Sequence, residues 1–163
     1  MDLRKVYTYA LRREEEGKRF FEENATRVQH AAASGAFRAL AAEEQKHIEF
    51  IQSLLSALET GRASDLAMGA VLTQSGVFAQ RAQSELLDQK ILEAMTPDLP
   101  VLRTAYLIER DFADFYAEAA QQAEGEARRA LEMLCQWERG HEALFREMHD
   151  KAFEIYAHMP WGG

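Results

Sequence analysis

Four long stretches of this chain space their apolar residues at alternating steps of three and four, a period that fits helices burying one face and leaves strands without comparable support. Segment A, about residues 2–33, carries the stripe Leu3, Tyr7, Ala10, Glu14, Gly17, Phe21, Asn24 and Val28. Segment B, about 34–59, carries Phe37, Leu40, Glu44, His47, Ile51, Leu54 and Leu58. Segment C, about 97–124, carries Leu102, Ala105, Glu109, Phe112, Tyr116, Ala119 and Ala123. Segment D, about 125–157, carries Leu131, Leu134, Glu138, His141, Phe145, Met148, Ala152 and Ile155. Helices with one apolar face bury it against one another, so the expectation is an all-α four-helix bundle.

The connections limit its topology. "ASGA" between A and B, with Ser34 as a candidate N-cap, and "AEGEA" between C and D are short enough to force two antiparallel hairpins. Residues 61–96 between B and C are too many for a hairpin turn. A helix of about 26 residues is roughly 40 Å long, and a crossover of this length can travel the whole bundle and make B and C parallel. Within it "AQSELLDQKILEAM" reads as a short helix and "MGAVLTQSGVF" as less regular. Thr96 and Pro97 read as the cap and first turn of C, and 158–163 as a frayed tail. The hairpins also repeat. A shift of 95 positions lays Glu14 on Glu109 and Phe20 on Phe115, and a shift of 94 lays Glu44 on Glu138 and His47 on His141.

Each stripe is interrupted by glutamate at a core position, and B and D add histidine three residues later on the same face. Glu14, Glu44, His47, Glu109, Glu138 and His141 therefore converge. Four buried carboxylates would repel one another and forfeit hydration worth several kcal/mol each. Two divalent cations cancel four negative charges, and neutral imidazoles complete the coordination without adding charge. One Glu from each of two helices and Glu-x-x-His from each of the other two is the donor set of di-iron and di-manganese carboxylate bundles.

With "EEQKH", "IERDFADFY" and "WERGH" in these places, the chain resembles the rubrerythrin-like branch of the ferritin-like superfamily across A to D. The resemblance implies a ferritin-like bundle with a carboxylate-bridged di-iron centre that reacts with dioxygen or hydrogen peroxide. It makes Glu14 and Glu109 terminal ligands, Glu44 and Glu138 bridging ligands, and His47 and His141 one imidazole per metal. Rubrerythrins proper also carry a rubredoxin domain with two Cys-x-x-Cys pairs, whereas this chain has one cysteine, Cys135, so its electrons must come from an external donor. They also place a further glutamate three residues after the third-helix ligand. This sequence has Phe112 there, read as core packing beside the metals.

The other candidates have plainer readings. Tyr7 and Tyr116 read as core, with hydroxyls in reach of the ligands. Cys135 reads as a small buried hydrophobe, and His30, His149 and His158 as surface residues. Glu15, Glu16, Glu43 and Glu142 flank the ligands and read as mostly solvated, with a share in metal entry or histidine orientation open to one of them.

Composition bounds the rest. With 163 residues, 47% hydrophobic, the chain is expected to form one domain over 1–163. Nineteen basic against 27 acidic residues, net −8 and without a basic cluster, exclude an ordinary nucleic-acid or anionic-membrane surface. No window approaches 18 uninterrupted apolar residues, and no leader-like apolar run opens the sequence, so a cytoplasmic protein is expected. The leading reading is an oxidoreductase in which two Fe ions, with Mn or Zn as possible replacements, reduce hydrogen peroxide or dioxygen. Ferritin-type iron storage is the rival within the fold, and a non-enzymatic metal-binding helical dimer or oxygen sensor the rival outside it. A homodimer over exposed apolar helix faces or the crossover is the expected assembly.

Overall fold

The computed structural model describes residues 1–75 and 87–160, and among these it holds helices and no strand. Four long helices form the bundle: α1 (Leu3–Arg27), α2 (Ala31–Thr60), α5 (Leu99–Gln122) and α6 (Gly125–His158). Between α2 and α5 lie α3 (Leu66–Ser75), α4 (Gln89–Ala94) and a 3-10 turn (Thr96–Asp98). The main packing is α1 along α2 and α5 along α6. No helix among the described residues is long and apolar enough to cross a membrane.

Two apolar layers give the directions of the helices. One layer gathers Phe21, Phe37, Leu40, Leu102, Phe145 and Met148. The other gathers Tyr7, Ile51, Leu54, Tyr116, Leu131 and Leu134. The first therefore holds the C-terminal half of α1, the N-terminal halves of α2 and α5, and the C-terminal half of α6. It follows that α2 and α5 are parallel, as the crossover length implies, with α1 and α6 running against them. The crossover makes the same journey: Leu66, Met68 and Leu72 of α3 pack on the second layer, and Leu92 and Met95 belong to the first.

Several boundaries differ from the sequence reading. The first hairpin turns at residues 28–30 and not at "ASGA". Val28 leaves α1 with extended backbone, φ −66° and ψ 135°. Ser34 sits inside the first turn of α2, its amide bonded to the carbonyl of His30 at 2.9 Å. Its hydroxyl donates to the carbonyl of Ala25 at 2.6 Å, tying α2 to the last turn of α1 and not capping a later helix. Thr96 is likewise no cap of α5; its hydroxyl donates to the carbonyl of Glu93, and α5 begins at Leu99. The "MGAVLTQSGVF" stretch is helical through Ser75, and its last three residues lie outside the described residues. Of "AQSELLDQKILEAM" the helix spans Gln89–Ala94, preceded by Asp88, whose carboxylate accepts from the Lys90 amide; its first five residues lie outside the described residues. The tail leaves α6 at Met159, and 161–163 are likewise outside the description. Leu58, a stripe residue, ends 40% exposed near the frayed end of α2.

The second hairpin turns on Gly125, whose φ of 59° lies in the left-handed region. Arg128 closes this joint by donating from Nε to the carbonyl of Ala120 at 3.2 Å, which satisfies an end carbonyl of α5. A Cβ on Gly125 would meet no atom within 4 Å, so a side chain there is opposed by backbone conformation alone. Gly125→Ala should cost about 1 kcal/mol. Gly140→Ala, on the exposed side of α6 with equally open space around it, should stabilise by roughly 0.5–1 kcal/mol. Paired urea unfolding checks this. Equal effects of one sign would reject the assignment of the turn.

Candidate metal centre

Between the two apolar layers the bundle core changes from hydrocarbon to carboxylate. Glu14 of α1, Glu44 of α2, Glu109 of α5 and Glu138 of α6 each have 0% exposure, with His47 at 2% and His141 at 4%. All six sequence candidates thus meet in one place. They form two overlapping quartets: Glu14, Glu44, His47 and Glu138 in one, and Glu44, Glu109, Glu138 and His141 in the other. Within each quartet one ligand atom per residue lies within 4.8 Å of all the others, close enough to hold a metal ion. Glu44 and Glu138 belong to both.

Both imidazoles turn Nδ1 toward the acids. His47 Nδ1 lies 2.9 Å from Glu138 Oε1, 3.2 Å from Glu14 Oε2 and 3.4 Å from Glu44 Oε2. His141 Nδ1 lies 3.4 Å from Glu138 Oε2, 3.5 Å from Glu44 Oε1 and 3.6 Å from Glu109 Oε2. Of these, the His47 Nδ1 to Glu14 Oε2 contact is a hydrogen bond, and the others are charge contacts. Both carboxylate oxygens of Glu44, Glu109 and Glu138 are buried without a hydrogen-bond partner among the described residues. Each such acceptor costs about 1–3 kcal/mol. Six of them aimed into one space suit a hard or borderline divalent cation, which accepts oxygen donors without needing a proton between them. The residues fit a metal.

The metal-free pocket tolerates burial by holding protons. Burial, then the Glu138 and Glu44 charges, push the carboxyls of Glu14 and Glu109 well above their ordinary range. Burial opposes the imidazolium of His47, but the charges of Glu138 and Glu44 outweigh it and raise that group; His141 is raised chiefly by Glu109 in the same way. Burial and Glu138 push Glu44 up, yet His47, Glu14 and His141 prevail and hold it at about 2. Glu138 falls below the carboxylate range for similar reasons, with His47 the largest opposing charge to its burial. Glu14 and Glu109 are thus moved toward the neutral form, Glu44 and Glu138 toward the carboxylate, and both imidazoles toward the charged form.

The surroundings include one tyrosine already placed by spacing and one residue that spacing did not single out, Trp137. Tyr116 donates its hydroxyl to Glu14 Oε1, so this aromatic is both core and partner to a site carboxyl. Tyr7 is buried nearby and its phenol is pushed up to about 12 by burial. Trp137 stacks on His47 at 4.8 Å and 17°, and His47 stacks on His141 at 5.3 Å and 14°. Its place one residue before Glu138 was the available signal, but an aromatic beside a ligand in sequence ordinarily faces elsewhere on a helix. Phe112 is buried beside Gly17, as expected for core packing.

Two flanking acids correct the sequence reading. Glu15 and Glu16 are exposed, but Glu43 is 4% and Glu142 8% exposed. They are paired and not solvated: Lys46 Nζ lies 2.6 Å from Glu43, and Glu142 receives Arg139 at 2.7 Å and Arg146 one turn on. Cys135 is half-buried and not fully packed away, with its thiol pushed up by burial. His158 is exposed, while His30 and His149 are half-buried. His149 packs edge-on to Tyr106.

The sequence model of a family described as Rubrerythrin matches residues 5–149. No curated protein and no solved structure matches the chain.

The proton inventory predicts the pH response of chelator-treated protein. Glu14 and Glu109 bind protons more tightly folded than unfolded, so their contribution is lost as pH rises above the ordinary carboxyl value of 4.5, and that of His47 and His141 is lost as pH rises above the ordinary imidazole value of 6.5. Glu44 and Glu138 act oppositely; their contribution is present above 4.5 and is lost as pH falls toward about 2. Tm of the metal-free protein should therefore peak near pH 5 and fall by roughly 5 °C or more toward pH 9. A flat or rising Tm across that range, read by calorimetry, would contradict the inventory.

Proposed function

Because the chain belongs to the rubrerythrin family, we propose that this pocket holds two iron ions and reduces hydrogen peroxide or dioxygen with electrons from an external donor. The carrying observation is the pair of overlapping quartets with two shared carboxylates, in a pocket where the oxygens of Glu44, Glu109 and Glu138 have no hydrogen-bond partner among the described residues. In this reading Glu14 and His47 serve one metal position and Glu109 and His141 the other. Glu44 and Glu138 serve both. Bound as Fe(II), the pair supplies one electron from each ion, which with two protons converts one hydrogen peroxide to two waters.

The protein contributes position, charge and dryness. Two divalent cations would balance the four carboxylates with both imidazoles neutral, and they would displace protons from Glu14, Glu109, His47 and His141, whose proton affinity the pocket raises. Tyr116 orients Glu14 through its hydroxyl, and the stack of Trp137 on His47 fixes the ring plane. The apolar layers above and below exclude bulk water. Cys135 is the chain's one cysteine, which cannot form a Cys-x-x-Cys electron relay, so repeated turnover draws on an outside reductant.

Saturating uptake should be about two Fe(II) or Co(II) per chain, with protons released on binding. Calorimetry in buffers of different ionisation enthalpy, alongside elemental analysis, measures both. Glu44→Ala or Glu138→Ala should empty both positions, whereas His47→Ala or His141→Ala should mainly weaken one. Saturation near zero or one would end the dinuclear reading.

Anaerobic Fe(II)-loaded protein mixed with one equivalent of hydrogen peroxide in a stopped-flow spectrometer should be oxidised once and then stop until reductant is added. Cys135→Ser should leave that rate within about twofold. Oxidation no faster than free iron would reject peroxide reduction. Continued oxidation of many added irons per chain would favour storage.

A further inference from the structure

Each of the four long helices presents Glu-x-x-X to the centre, and the identity of X divides it into two sides. On α2 and α6 the motif is Glu44-x-x-His47 and Glu138-x-x-His141, two donors per helix. On α1 and α5 it is Glu14-x-x-Gly17 and Glu109-x-x-Phe112, one donor per helix. Any coordination position left open by the protein therefore faces α1 and α5. The two non-donor residues are themselves equivalent in the repeat, since the displacement that lays Glu14 on Glu109 also lays Gly17 on Phe112.

They also compete for one space. A Cβ built on Gly17 would lie 3.1 Å from Phe112 Cε2 and 3.5 Å from its Cζ, and 3.9 Å from the carboxyl carbon of Glu44. Gly17 leaves a hollow against a shared carboxylate, and the Phe112 ring closes it. Phe112 is 3% exposed, and on it the Arg13 guanidinium carbon lies 4.8 Å from the ring centroid. Arg13 itself reaches solvent and lies 3.6 Å from Glu16. From outside inward, the donor-poor side is covered by a cation, an aromatic ring and then the acid.

Resting on the dinuclear reading above, we propose that Phe112 is a size filter on the open side of the centre, admitting ligands of two or three heavy atoms and turning away branched or aromatic carboxylates and hydroperoxides. A rigid ring set into a fitted hollow can yield to a slim ligand by a small tilt. A branched or aromatic ligand needs the volume of the ring itself, and on the Gly17 side the ring already fills the hollow, with Cε2 3.1 Å from where a Cβ would stand.

The test uses full-length protein loaded with Co(II), whose visible absorption reports anion binding at the metal. Azide is the slim probe and benzoate the bulky one. Wild type should bind azide and show no benzoate response. Phe112→Ala should bind benzoate at least about tenfold tighter than wild type while azide affinity shifts less than about threefold, with Phe112→Leu intermediate and safer for folding. Gly17→Ala, which crowds the ring, should weaken azide. In Fe(II)-loaded protein the same Phe112→Ala should raise the rate with cumene hydroperoxide about tenfold or more and leave hydrogen peroxide within about threefold. Benzoate binding equal in wild type and both Phe112 variants, with Co(II) uptake intact, overturns the filter alone. Failure of wild type to take up Co(II) overturns the metal reading and the filter with it.

Discussion

Everything in this bundle answers to the cost of placing four carboxyl groups in a dry core. Unscreened, they would repel one another and forfeit hydration worth several kcal/mol each. The chain meets that cost with counter-charges inside the same layer, two imidazoles drawn toward the charged form and two acids, Glu14 and Glu109, pushed toward the neutral one. The compensation is local, since among the described residues no Lys or Arg reaches Glu44, Glu109 or Glu138. The cations of the neighbourhood are spent one shell further out, on Glu43 and Glu142. Long helices follow from the same need. An apolar layer at each end of the polar one keeps water out, and holding three layers in one bundle takes helices of 24 to 34 residues.

Much of this was legible in the sequence because it depends on period. A glutamate at a stripe position is buried whatever the turns do, so Glu14, Glu44, Glu109 and Glu138 could be placed before any hairpin was located. Their convergence with His47 and His141 followed from the repeat. Turns were less legible. In "ASGA" the Ser and Gly are weak helix formers and suggest a turn, yet here they continue α2, and the break falls at 28–30. A hydroxyl can cap its own helix or bind the preceding one, and Ser34 does the latter because the hairpin brings Ala25 within reach. Glu43 and Glu142 were misjudged for a similar reason: their solvation depends on whether Lys46, Arg139 and Arg146 fold over them, a tertiary matter. The Trp137 stack on His47 crosses between α2 and α6, and no spacing within either helix encodes it.

The repeat is faithful where donors are required and relaxed where they are not. Its two halves agree at Glu14 and Glu109, Glu44 and Glu138, His47 and His141. They diverge at Gly17 and Phe112, where a shared hollow can take one side chain. They diverge again at the hairpin joints, an extended Val28 in one and a left-handed Gly125 in the other. Pseudo-symmetry thus survives in the coordinating layer and is lost at the periphery, as expected when the constraint is chemical and not architectural.

The crossover carries one more consequence. Each quartet draws three residues from one hairpin and one from the other: Glu138 joins Glu14, Glu44 and His47, and Glu44 joins Glu109, Glu138 and His141. Neither hairpin can build either quartet alone, and the crossover ties them in series, leaving the end of the second apolar layer and arriving at the first. Under the proposed function, ions shared across that seam would rivet the two hairpins together, and removing them would lower the cost of parting the hairpins along it.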